Sequence, residues 1–268
     1  MIIKRAACTL SEYFRFYLGL LYFGVCGVLL SVVSALLYPV LPQRLRAGVG
    51  KHAISFLFRT FLALLRVIGL AKLDLSALDA LCREPGILIA PNHPCLLDAV
   101  FVIARVPNVA CIMKAEIWDN IVLGGGARLA GYIRNDSTMN MVRLSAQELR
   151  EGRPLLVFPE GTRTRRRPVN EFKGGFALIA KRAGAPIQTV FIDTDNPFLG
   201  KGWPLLKKPS FPLIYRARLG KRFTVEGDVK AVMRELQGYY RQELAGQPAE
   251  HPSPVLRPSG SPRPGPAA

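Results

Sequence analysis

The chain has 268 residues, half of them hydrophobic, with 36 Lys and Arg against 19 Asp and Glu, a formal net charge of +17. That much apolar surface excludes a disordered chain, and five scattered cysteines exclude a disulfide scaffold. A basic chain of positive mean hydropathy points to an anionic membrane surface rather than to nucleic acid.

In chain order, the first feature is a run of 25 residues without a charge, Phe16 to Val40. This exceeds the ~20 residues that cross a bilayer core. A cleaved signal peptide is the alternative, since Lys4, Arg5 and Arg15 precede the run, but its apolar region should span only about 7–15 residues. Positive charge on both flanks, with Arg44, Arg46 and Lys51 on the far side, leaves orientation open. From Ala53 to Leu70 a second apolar stretch carries His52, Arg59 and Arg66 seven apart, on one stripe of a helix. It reads as a helix in the headgroup plane with Phe56, Leu57, Phe61, Leu64 and Leu65 immersed. A buried core helix with snorkelling arginines is the alternative, and the two segments together can form a dipping hairpin.

Beyond residue 72 the pattern becomes that of an α/β domain. Apolar runs at 86–91, 109–114, 154–158 and 186–192 predict buried strands. Ser137 and Asp228 predict helix caps, and Gly184 a helix end. The expected fold is a mainly parallel sheet covered by helices, behind an N-terminal membrane helix or helical hairpin. The expected division is 1–71 for the anchor, 72–245 for the α/β domain and 246–268 for a disordered tail rich in Pro, Ser and Gly.

Two constellations carry chemistry. His93 follows a predicted strand in NHPCLLD (92–98), and Pro94 after it predicts a helix mouth capped by His93. Folded back over the first turn, the ring would reach Asp98, which would fix its tautomer and leave the other nitrogen as a base. Free amides at that helix start would then help an oxyanion. A His capping a helix for structural reasons is the plainer alternative, as is packing for Cys95 over a Cys–His nucleophile. The second constellation, VFPEGTRTRRR (157–167), places Glu160, Gly161, Thr162 and Arg163 in a loop after a strand. Arg163, Arg165, Arg166, Arg167, Lys173, Lys181 and Arg182 then make seven cations in twenty residues, suited to a phosphate or simply to solvent. Gly124-Gly125-Gly126 predicts a flexible connection, and Trp203 among Lys201, Lys207 and Lys208 either an interfacial anchor or a plain surface loop.

Taken together, NHPCLLD and FPEGTR, with GYIRND (131–136) between them and FKGGFALIAKRAGAPI (172–187) after, resemble the glycerolipid acyltransferase family, and within it the bacterial 1-acylglycerol-3-phosphate acyltransferases. The resemblance covers roughly residues 50 to 220. It implies that His93 deprotonates an acceptor hydroxyl with Asp98 holding it, and that Glu160, Gly161, Thr162, Arg163, Arg134 and Lys173 bind the acceptor. It implies an acyl thioester on coenzyme A or acyl carrier protein as co-substrate, a membrane lipid as partner, no metal or prosthetic group and no nucleic acid. The implied location is the cell inner membrane with the site on the cytoplasmic face. Thr189 where a proline is usual, and Arg134 directly after Ile133, leave a different lipid acceptor or a specialised acyl chain open. A non-catalytic basic protein using 163–182 and 201–222, and a thioesterase-like hydrolase, are the alternatives from other classes.

Overall fold

The computed structural model describes residues 2–120, 124–166 and 168–245. The tail expected at 246–268 and Arg167 lie outside the described residues.

Two helices open the chain, α1 (Ile2–Val40) and α2 (Gln43–Val67), joined at Leu41-Pro42 into an antiparallel hairpin. Both are long and apolar enough to cross a membrane. Their faces are sharply divided. On α1, Phe16, Ser31 and Ser34 are buried, while Leu10, Phe14, Leu21, Val25, Leu29, Val32 and Leu36 stand exposed. The outward set recurs every three or four residues, one stripe of an α-helix. On α2 the inward face is Ile54, Leu57, Phe61, Leu62 and Leu65, all of them buried. Leu57, Phe61 and Leu65, expected in lipid, are therefore packed on protein, because the domain shields that side. Phe56 is the exposed one, at 70%.

The hairpin lies along the domain rather than projecting from it. The inward residues of α1 run from Phe16 to Ser34, roughly 27 Å of helix. Gly125 backs onto Ser31, and a Cβ there would lie 2.7 Å from the Ser31 carbonyl oxygen. The triple glycine thus serves helix–helix contact, as part of α5 (Gly124–Leu129), and is not a flexible link. Lys51 on α2 is buried and pairs with Glu148 at 2.8 Å.

The domain is built on a seven-stranded sheet. Its elements in chain order are β1 (Ala71–Asp74), a 3₁₀ segment (Ser76–Arg83), β2 (Leu88–Pro91), α3 (Asp98–Arg105), β3 (Ala110–Lys114), α4 (Ala115–Trp118), α5, β4 (Ile133–Asn135), α6 (Thr138–Arg150), β5 (Leu155–Leu156), α7 (Gly175–Ala183), β6 (Ile187–Thr194), β7 (Leu213–Phe223) and α8 (Val229–Ala245). The strand order is β1-β7-β6-β2-β5-β3-β4, and every pairing is parallel except β6 with β7. The mostly parallel sheet expected from the sequence is present, with β1, β4 and β7 added to the four strands read there. Ser137 caps α6 by accepting from the Asn140 amide at 3.5 Å, Asp228 accepts from the Lys230 amide at 3.0 Å, and Gly184 ends α7. Because β2, β3, β4, β5 and β6 run the same way, the loops that follow them open at one edge, where open α/β sheets bind ligands.

Candidate active site

β2 lies between β5 and β6 in the sheet, so His93 emerges between the loop that follows β5, carrying FPEGTR, and the loop that follows β6. Asn92 clamps this arrangement: it accepts from the Ile192 amide at 2.7 Å and donates to the Ile192 carbonyl at 3.0 Å.

Residues 94–97 form a turn rather than the expected helix mouth, and α3 begins only at Asp98. The cause is visible in the carboxylate. Asp98 is fully buried, and its Oδ2 accepts from the His93 ring at Nδ1 (2.8 Å) and from the Cys95 amide (2.8 Å). The turn wraps the carboxylate, and the imidazole reaches it from outside the helix. With Nδ1 bound to a carboxylate, Nε2 is left as the acceptor in the neutral ring. The ring lies flat on Phe158, 3.8 Å between centroids and 17° between planes, so its orientation is held twice.

The amides expected to be free at this helix start are engaged. The His93 amide donates to Glu160 at 3.0 Å, Cys95 to Asp98, and Leu96 to the Leu199 carbonyl at 3.1 Å. An oxyanion must find its donors elsewhere. Cys95 is buried and its thiol donates to Asp98 Oδ1 at 3.1 Å. Burial first, and the Asp98 charge second, push that thiol well above its ordinary range. It stays a neutral thiol at physiological pH, against a nucleophilic role.

Glu160 is 1% exposed. Its Oε1 accepts from the His93 amide and from the Thr164 hydroxyl at 2.8 Å, and Oε2 accepts from the Asn170 amide at 2.8 Å. Thr164 N in turn donates to the His93 carbonyl at 2.7 Å. This carboxylate therefore joins the two sequence motifs, and these hydrogen bonds all run to protein. Burial raises its pKa, while the bonds from Asn170, Thr164 and His93 work against the rise. Gly161 follows with φ +65°, a conformation that lets the loop turn sharply above Lys173.

Arg163 donates from one guanidinium nitrogen to the carbonyls of Leu199 (2.8 Å) and Gly200 (3.0 Å). Thr162 lies beside it, 3.5 Å from the Lys201 ammonium. Lys201 is pushed below the usual lysine range by desolvation and then by the charges of Lys114, Arg165 and Arg163. Arg163 and Arg165 of the loop after β5, Lys114 at the end of β3 and Lys201 of the loop after β6 thus lie near one another on this rim. Lys173 is exposed on the same loop. Arg134 stands apart. It sits at the carboxyl edge of β4, three strands from β2, roughly 14 Å away at about 4.8 Å per strand. There it pairs with Asp119 and Asp136, each at 3.3 Å.

Several contributors escaped the sequence. Phe158 and Asn92 sit inside the two motifs, and their neighbours were the available signal. Lys114, Lys201, Asn170 and the carbonyls of Leu199 and Gly200 had none, because only the shared sheet edge assembles them. Elsewhere the basic stretch 201–222 is partly neutralised: Arg218 pairs with Asp193 and Glu243, and Arg222 with Glu84.

A mostly parallel sheet with a His–Asp pair at its carboxyl edge, backed against two helices long and apolar enough to cross a membrane, defines the class of α/β domain. Residues 72–193 match the family model described as Acyltransferase. The chain is 34% identical over 131 residues to a lyso-ornithine lipid O-acyltransferase of Pseudomonas aeruginosa, covering 44% of this chain and 50% of that protein. It thus spans about half the length of that relative. It is 22% identical to a 1-acyl-sn-glycerol-3-phosphate acyltransferase of the same organism, over 77% of this chain and 79% of the relative. Its fold is that of the crystal structure of the 1-acyl-sn-glycerophosphate acyltransferase PlsC from Thermotoga maritima, with a TM-score of 0.64 at 19% identity, covering 91% of this chain and 99% of that one.

Proposed function

We propose that the chain is a lysophospholipid O-acyltransferase. It moves an acyl group from a thioester on coenzyme A or acyl carrier protein to a lysolipid hydroxyl, with 1-acylglycerol-3-phosphate as acceptor and phosphatidic acid as product. The observation that carries this reading is the His93–Asp98 pair at 2.8 Å, on a loop that hydrogen bonds tie to the loop of Arg163.

In this reading the acceptor O–H gives its proton to His93 Nε2 as its oxygen bonds to the thioester carbonyl carbon. Asp98 stabilises the imidazolium that forms. The tetrahedral intermediate collapses with cleavage of the C–S bond, and the imidazolium returns the proton to the leaving sulfur. The products are an ester and a free thiol, and the step draws on no metal or prosthetic group. Arg163, Lys201 and Lys114 hold the acceptor's phosphate, with Thr162 and Lys173 alongside. Glu160 and Gly161 serve acceptor binding by shaping the loop that presents Arg163. Arg134 meets a more distal part of the substrate.

The cluster of Arg163, Arg165, Lys114 and Lys201 suits a phosphomonoester better than a headgroup that carries its own ammonium. The likeness to the lyso-ornithine lipid enzyme favours a second reading, in which that headgroup is the acceptor. The purified chain offered acyl-CoA or acyl-ACP and a panel of lysolipids, read by mass spectrometry, separates them. Phosphatidic acid as dominant product supports the first reading and acylated ornithine lipid the second. Free fatty acid alone would mean a hydrolase, and no turnover would leave a basic lipid-binding protein.

Residues 1–71 act as the anchor of the 72–245 domain in this reading. The domain lies along α1, so the hairpin rests in one leaflet rather than crossing. That leaflet is the cytoplasmic one of the inner membrane, where the thioester donors are.

A further inference from the structure

The loop at 195–212, between β6 and β7, carries two adjacent exposed leucines, Leu205 at 55% and Leu206 at 67%. Lys207 and Lys208 follow at once. Lys207 lies over the Trp203 ring at 5.0 Å, and the indole N–H donates to the Lys207 carbonyl at 3.0 Å, which folds the tip into a compact unit. Apolar side chains beside an indole and cations are the composition of a segment at a lipid headgroup boundary.

The tip is fastened to α1. The Tyr17 hydroxyl donates to the Leu206 carbonyl at 3.4 Å, and the Lys208 ammonium sits 2.6 Å from Glu12 and 5.3 Å over Tyr13. Beneath it, Phe16 packs edge-on to Phe198 at 5.9 Å. Tyr13 and Tyr17 belong to the outward side of α1 that also holds Leu10, Phe14 and Leu21. The two leucines therefore extend an apolar face already present, and cations border it. This continuity and charge identify the occupant as an anionic phospholipid leaflet rather than a soluble protein.

The other end of the loop is fastened to the site. Leu199 adopts φ +55°, costly for a bulky residue. In that conformation its carbonyl accepts from both Arg163 and Leu96, and Gly200 adds a second carbonyl to Arg163. One loop thus connects the membrane face of α1 to the guanidinium beside His93.

We propose that the 195–212 loop is a second membrane-docking element, inserting Leu205 and Leu206 beside α1 and setting Arg163 at the depth of the lysolipid headgroup. This goes beyond the acyl transfer proposed above and rests on that reading for the lysolipid headgroup.

The chain has two tryptophans, so Trp118→Phe leaves Trp203 as the sole indole. Bound to vesicles of phosphatidylcholine and phosphatidylglycerol with brominated acyl chains, Trp203 should be blue-shifted and quenched. Adding Leu205→Ser and Leu206→Ser should diminish the quenching while the hairpin keeps the protein on the vesicle. Trp203 in a water-like, unquenched environment on vesicle-bound protein would overturn the proposal. In turnover, the double serine variant should raise KM at least about tenfold for a bilayer-embedded lysolipid at unchanged kcat, less than the full loss of two immersed leucines because the hairpin still holds the protein on the vesicle. KM for a short-chain monomeric lysolipid should stay constant. Equal loss with both acceptors would overturn the coupling to the site. Because quenching reads position and not turnover, a chain that quenches but acylates nothing would contradict the proposed reaction and support the docking.

Discussion

On the outer side of α1, Leu10, Phe14, Leu21, Leu29 and Leu36 are each more than half exposed, and no charge lies between Phe16 and Val40. Around His93 the reverse holds: Asn92, Asp98 and Glu160 are buried, and each side chain is hydrogen-bonded to its surroundings. The first region makes sense only against a non-aqueous neighbour. The second supplies its own solvation, so that an imidazole and a carboxylate meet at hydrogen-bond distance before any substrate arrives. In the proposed function the hairpin gives position in the membrane, and the loops at the sheet edge give chemistry.

Four substitutions test this contrast. Asp98→Asn should lower kcat by about 10²–10⁴ through loss of the ring's tautomer and of imidazolium stabilisation, read from initial rates on vesicle-bound enzyme. Phe61→Ala removes a ring that is 6% exposed and packs 4.9 Å from Phe23. It should cost about 3–5 kcal/mol, read from denaturant unfolding in detergent. Glu160→Gln exchanges an acceptor for a donor facing the Asn170 or His93 amide and should cost about 1–3 kcal/mol.

Glu160 also gives a sign to test. Burial raises its folded pKa above the unfolded carboxylate value, so the folded state holds the proton more tightly. The associated stability is present at pH below the unfolded pKa and is lost as pH rises through the folded one. Wild type should thus lose stability relative to Glu160→Gln as pH climbs from the ordinary carboxylate value through that raised pKa, checked by urea midpoints at several pH values. The smallest folding effect belongs to Phe14→Ser, 68% exposed. It should change stability in detergent by less than about 0.5 kcal/mol yet weaken vesicle binding in a flotation assay.

Much of the fold was legible because its signals are local. Four apolar runs became β2, β3, β5 and β6, and Ser137 and Asp228 cap the helices expected of them. β7 was hidden by its own charges: Arg216, Arg218 and Arg222 drew attention as a basic patch, while the inward alternation of Leu213, Tyr215 and Ala217 marks a strand. β4 has three residues, too few for a periodicity. In the site, the five-residue spacing from His93 to Asp98 was readable as a folded-back pair. The helix start was not, since Asp98 draws in the Cys95 amide and delays the helix to its own position. The acceptor-binding role of Glu160 is implied by the family resemblance alone, and nothing in the local sequence marks it as buried. Only the approach of β2 to β5 shows its oxygens committed to the protein, just as only the β6–β7 loop shows what fixes Arg163.

In the proposed reaction His93, held by Asp98, takes the proton from a lysolipid hydroxyl. The most direct measurement is acyl transfer to 1-acylglycerol-3-phosphate by wild type and His93→Ala at matched vesicle binding, with phosphatidic acid quantified by mass spectrometry. A loss of at least about a hundredfold in the variant, with its unfolding midpoint retained, is expected. Turnover by the variant within a few-fold of wild type would contradict it.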